Sequence, residues 1–150
     1  ISPKMKNIAD KLRFFFNKTC ISPEVQNIHS EIFTKSLNAL AFNLVALDYE
    51  FTNLQLKKNP TAIEVIERIM YEGEQITKLL KIKLSQSTKE RIDQTLSSSV
   101  HTMSMLNDYN NGKKTELKYL WLSFENIINH LNLKMNYTKS LVEKVLKKIE

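Results

Sequence analysis

Two glycines, Gly73 and Gly112, and three prolines, Pro3, Pro23 and Pro60, are the only strong chain-breaking residues in 150. A sheet protein of this size needs turn residues roughly every 8–12 positions, and this chain lacks them. Leu, Ile, Lys, Asn and Glu are abundant instead, which favours long helices. The expected fold class is all-α, a single helical bundle in one domain over residues 1–150. A chain of that length can bury roughly two-thirds of its unfolded surface in one core.

The periodicity places the helices. Pro3 suits a first turn, and Met5, Ile8, Leu12, Phe15 and Phe16 follow at three- and four-residue spacing, predicting a first helix that stops near Asn17. Asn27 can cap a second helix whose apolar positions, from Ile28 and Ile32 through Leu47, almost surround it, as in a helix through the middle of a bundle. Asn59 and Pro60 open a third, with Ile63, Ile66, Ile69, Met70, Ile76, Leu79 and Leu80 on one side. Gly73 inside it costs about 1 kcal/mol relative to Ala, so a close helix crossing is expected there. Ser87 or Thr88 can start a helix through Leu96, which the cluster Ser97 to Ser99 ends or leaves frayed. Asn111 and Gly112 make a turn, and Thr115 can cap a helix whose buried side is Leu117, Leu120, Trp121, Phe124, Ile127, Ile128 and Leu131. A last helix sets Leu141, Val142, Val145, Leu146 and Ile149 against Lys139, Lys144, Lys147 and Lys148.

Charge and cysteine content narrow the function classes. The net charge is +6, but the lysines are dispersed in separate segments, many beside acids, as on a solvated helical surface. Nucleic acid is not expected as a partner. Cys20 stands alone, so no disulfide forms within the chain and a cytoplasmic setting is the better reading. The longest apolar run, “LNALAFNLVAL”, is too short to span a bilayer. His29, His101 and His130 show no metal-ligand spacing with Cys20 or paired acids, so no metal is expected. A Rossmann-type dinucleotide site needs Gly-x-Gly-x-x-Gly after a strand, which two isolated glycines cannot provide. The start at Ile1, without Met, suggests a piece of something longer.

Polar residues interrupt positions that a dry core would fill. Lys35, Ala39 and Asn43 fall four residues apart on nearly one face of the central helix. Lys35 lies between Phe33 and Leu37, where a cation is costly unless it pairs or works. The alternative is that its stem carries the ammonium out to solvent while Asn43 bonds a neighbouring backbone. The stretch “HTMSMLNDYNNGKKTEL” shares the ambiguity, since its methionines and turn suit plain packing too.

Taken together, “EIFTKSLNALAFNLVAL” and “SMLNDYNNGKKTEL” resemble the two signature regions of the C-terminal helical domain of the ketopantoate reductase (2-dehydropantoate 2-reductase) family, of the 6-phosphogluconate dehydrogenase C-terminal-domain-like type. Phe33, Lys35 and Asn43 match the first region, and Ser104, Met105, Leu106, Asp108, Thr115 and Glu116 the second. The likeness runs from about Met5 to Glu150. It implies a partner Rossmann domain, absent from this chain, that holds NADPH, and a small 2-oxo acid such as ketopantoate as substrate. It also implies Lys35 as the general acid, Glu116 orienting the substrate hydroxyl and the lysine, and Asn43, Asn53 and Ser104 contacting substrate. A lysine suits that task, because a cation polarises a carbonyl and stabilises a developing alkoxide. The chain alone is expected to be inactive, and a second copy of it is a candidate partner. The pattern is broken at Ala39 and His101, where the family has Asn, at Leu44 and at Trp121-Leu122. A rival reading is a stand-alone interaction or dimerisation module in which Lys35 and Glu116 form a structural ion pair.

Overall fold

The computed structural model describes residues 27–97 and 101–150, with Lys6, Asp10 and Lys11. These last three are helical; the rest of the helix expected between Pro3 and Phe16 lies outside the described residues, as do residues 98–100. From Asn27 onward the described residues form seven helices and no strand: α1 (Ile28–Tyr49), α2 (Asn53–Lys57), α3 (Pro60–Leu79), α4 (Thr88–Thr95), α5 (Ser104–Asn110), α6 (Leu117–His130) and α7 (Asn136–Ile149).

Helix α1 is the axis of the bundle and packs against α3, α5, α6 and α7. Leu37, Leu40, Ala41, Leu44, Val45, Ala46 and Leu47 are all fully buried in it. Each such leucine contributes about 1.5–3 kcal/mol over an exposed one. The apolar wrapping fails at the start, where Ile28 and Ile32 remain more than half exposed, at 56% and 53%.

Local chemistry fixes the helix starts. Asn27 Oδ1 accepts from the N–H groups of His29 (3.1 Å) and Ser30 (3.2 Å), and Asn59 Oδ1 from that of Ala62 (2.9 Å), with Pro60 first in α3. At α4, Ser87 and Glu90 form a reciprocal capping box. The Ser87 hydroxyl, followed by its backbone N–H, holds the Glu90 carboxyl below its ordinary value. Thr115 does not cap α6. That helix begins after Glu116, whose backbone is already near-helical at φ −84°, ψ 0°, and no side chain caps the start.

The chain ends helices with little glycine. Gly112, at φ +67°, closes α5 through Lys113 N–H to Asp108 O (2.9 Å) and Gly112 N–H to Tyr109 O (3.0 Å). The same left-handed ending falls to Glu50, Lys81 and Asn132 after α1, α3 and α6. Gly73 serves packing instead: a Cβ there would lie 2.1 Å from Leu37 Cδ2, so α3 crosses α1 in near contact.

Two more long-range ties complete the bundle. The Glu72 carboxylate on α3 accepts from Tyr137 N–H (3.2 Å), Thr138 N–H (2.9 Å) and the Thr138 hydroxyl (2.7 Å), capping α7 from another helix. At the far end of α7, Lys144 pairs with Asp48 (2.6 Å) and Lys148 with Glu50 (2.6 Å). Lys148 Nζ also donates to the carbonyls of Leu47 (3.1 Å) and Asp48 (3.2 Å), the last turn of α1.

Candidate functional site

Helix α1 carries Lys35 and, two turns on, Asn43. Lys35 is exposed, and among the described residues it makes no hydrogen bond or ion pair. Of the two expectations for this lysine, the side chain reaching solvent is the one realised. Asn43 is buried, and its Nδ2 donates to the carbonyl of Ala39 (2.8 Å). Its Oδ1 accepts from the backbone N–H of Met105 (3.0 Å), with the Ser104 hydroxyl at 3.5 Å. The residue before α5 is Met103, which cannot cap a helix, and Asn43 provides the acceptor that the first turn lacks. Ser104 is exposed at that turn.

Asn53 opens α2 and is 1% exposed. Its backbone N–H donates to the carbonyl of His101 (3.2 Å) and its Nδ2 to that of Thr95 (3.3 Å). The two bonds tie the start of α2 to the last residue of α4 and to His101, three residues before α5. Asn53 Oδ1 is buried and accepts no hydrogen bond among the described residues, a state that costs about 1–3 kcal/mol.

Glu116 is exposed just before α6. Among the described residues no ion pair joins it to Lys35, which removes the structural ion pair of the module reading. Beside it, a cleft of about 400 Å³ opens between the start of α6 and the end of α7, lined by Lys114, Lys118, Tyr119, Leu146 and Ile149 among others. Lys118 and Glu150 pair within it at 3.1 Å. The structure therefore brings Asn43 and Ser104 together, sets Asn53 against Thr95 and His101, and leaves Lys35 and Glu116 exposed and apart from each other's ion-pair reach.

A second charged group was hidden from sequence reasoning. Arg91 on α4 is fully buried. Its guanidinium donates to the Glu74 carboxylate, to the Thr88 hydroxyl (3.0 Å) and, at 3.5 Å, to the side-chain oxygen of Asn38 on α1. Burial pushes the guanidinium below its ordinary value, against the pull of Glu74. The signal was present in the spacing: Thr88, Arg91, Ile92, Thr95 and Leu96 form one helical stripe, with an arginine where an apolar residue belongs. Among the described residues no cluster of three or more His, Cys, Asp or Glu could hold a metal, and no helix is long and apolar enough to cross a membrane.

The described residues thus form an all-helical domain around a buried axial helix, with Lys35 and Ser104 exposed on elements that the Asn43 amide ties together. The sequence matches the family described as ketopantoate reductase PanE/ApbA C terminal over residues 27–148, and the chain belongs to that family. Among solved structures, a PanE/ApbA family ketopantoate reductase from Ralstonia eutropha JMP134 superposes with a TM-score of 0.77 at 16% identity, over 91% of this chain and 46% of that one. The dimeric ketopantoate reductase from Staphylococcus aureus gives 0.72 at 16% identity, over 93% and 50%. At such identity the likeness is one of fold. This chain spans about half the length of each. No curated protein matches it.

Proposed function

We propose that this chain is the substrate-side domain of a 2-dehydropantoate 2-reductase-like enzyme that reduces a small 2-oxo acid such as ketopantoate to the 2-hydroxy acid. The observation that carries the reading, beside family membership, is the pair of Asn43 contacts that join the helix bearing Lys35 to the turn bearing Ser104. The described glycines do not fit a dinucleotide: Gly73 is buried against Leu37 and Gly112 closes a helix. A separate Rossmann domain would hold NADPH, which would provide hydride chemistry to the site.

The work of this chain is then proton delivery and orientation. Lys35 Nζ holds the proton that passes to the ketone oxygen, and as a cation it stabilises the negative charge that develops there. Its exposure suits a group that meets substrate only when a second domain covers it. The Ser104 hydroxyl contacts the substrate from α5, and Glu116 orients the substrate hydroxyl. Asn53, with an acceptor that lacks a donor, contributes a further polar contact.

The test is NADPH oxidation with ketopantoate, measured for the full-length protein and for this chain alone. Turnover by the first and none by the second is the expected result. Turnover by the chain alone would sink the two-domain account; a full-length protein that binds NADPH but leaves every 2-oxo acid unreduced would sink the assignment of reaction.

A further inference from the structure

Asn43 differs from Lys35, Ser104 and Glu116 in being buried, at 6% exposure, while those three are exposed. Both ends of its amide are engaged inside the protein. The Nδ2 bond to the Ala39 carbonyl and the Oδ1 bond to Met105 N–H also fix which way the amide faces. A flipped amide would set oxygen against the Ala39 carbonyl and nitrogen against the Met105 N–H, losing both bonds. The helix it serves has only seven residues, far below the length at which a helix persists by itself in water. Where α5 begins, and so how residue 104 is presented, depends on an acceptor sixty-two positions away in sequence on the Lys35 helix.

The domain uses the same device at α7, where the Glu72 carboxylate takes the first-turn N–H groups from α3. That helix start carries none of the candidate site residues, so its cap serves the fold alone. The start of α5 carries Ser104, and its cap stands eight residues beyond Lys35 on one rigid helix.

We propose that Asn43 is a positioning residue: it acts on substrate through Ser104, by locking the backbone at Met105 to α1, and does not touch substrate itself. The proposal rests on the reading of Ser104 as a substrate contact given above. Ser104 then keeps a fixed place relative to Lys35, and the two address one small molecule as a unit. Such pre-organisation acts mainly on substrate binding, because it removes the need to order α5 at each encounter.

A double-mutant cycle on KM for ketopantoate, in the full-length protein, tests this. Ser104→Ala and Asn43→Ala are each expected to raise KM about tenfold, the loss of one hydrogen bond or of its placement, with kcat changed far less. The double variant is expected to be no worse than Ser104→Ala alone, because nothing remains to be positioned. Amide exchange at Met105, followed by NMR in the same protein, should accelerate in Asn43→Ala and not in Ser104→Ala. Asn43→Asp keeps the acceptor for Met105 but sets an oxygen against the Ala39 carbonyl, so its KM should fall between wild type and Asn43→Ala; it also carries the test if the alanine variant does not fold. Multiplying KM effects, or an Asn43→Ala variant with fast Met105 exchange and unchanged KM, would overturn the proposal alone. A Ser104→Ala variant with unchanged KM would instead remove the underlying site reading, and the proposal with it.

Discussion

Two cations meet α1 within one turn of each other, one carried by the helix and one reaching it from α4, and have opposite fates. Arg91 reaches α1 at Asn38, is fully buried, and is held by Glu74 and Thr88. Lys35, three residues before Asn38 on the same helix, is exposed and held by no hydrogen bond or ion pair among the described residues. Taking a charge out of water costs several kcal/mol, returned only if its partners are in place. Arg91 is therefore committed to the fold, and its charge is cancelled by Glu74 before any ligand could sense it. Lys35 costs the fold almost nothing and keeps its charge for whatever approaches. Burial separates the charge that builds this domain from the charge available for chemistry.

The contrast can be broken first at Arg91. Arg91→Met strands Glu74 and should cost about 3–5 kcal/mol, lowering the thermal midpoint by roughly 6–20 °C for a domain of this size. Replacing Glu74 and Arg91 together with Met should recover most of that loss, since paired removal of a buried ion pair is often neutral. A single variant that melts like wild type would show that the pair contributes nothing. Lys35→Met should leave the midpoint unchanged, within about 0.5 kcal/mol, while kcat of the full-length protein falls about 10²–10⁴-fold. A Lys35 variant that unfolds early would place that lysine with Arg91 after all. Gly73→Ala changes no charge, yet its methyl meets Leu37 at 2.1 Å; denaturant unfolding should show a loss of about 1–3 kcal/mol, separating packing of α1 from its electrostatics.

Lys144 lies between the extremes, exposed but paired with Asp48. Its hydrogen bond to Asp48 raises the ammonium above the ordinary lysine value. A base raised on folding stabilises the fold below its unfolded value, and that contribution disappears as pH rises through the folded one. Lys144→Met should thus cost a small amount at neutral pH, less in high salt, and nothing in strong alkali. Equal losses across that range, read from urea midpoints, would mean that packing rather than charge is at stake.

What the sequence made legible was set by local chemistry. The caps at Asn27 and Asn59, the turn at Gly112 and the close crossing at Gly73 each follow from residues within one turn of the feature or from a glycine with no other purpose. Thr115 misled because a threonine before an apolar run resembles a cap, whereas Glu116 already adopts near-helical angles. The partners that tie Arg91, Glu72 and Asn43 to other helices lie 17, 66 and 62 residues away, and nothing local says which helices will meet. The site shared that limit: the pairing of Asn43 with Ser104 came within reach only through the family resemblance, and the exposure of Lys35 was one of two outcomes that spacing left open.

Lys148 binds carbonyls at the end of α1 from 100 and 101 residues downstream. During synthesis, therefore, the axial helix emerges long before the cation that closes its last turn. Until α7 follows, the leucines of α1 are covered by α3, α5 and α6 only, and the contacts with Lys148 close a loop of about a hundred residues. Helix α7 latches the bundle, and a ribosome stalled before Lys148 would leave the α7-facing side of the axial helix open to aggregation.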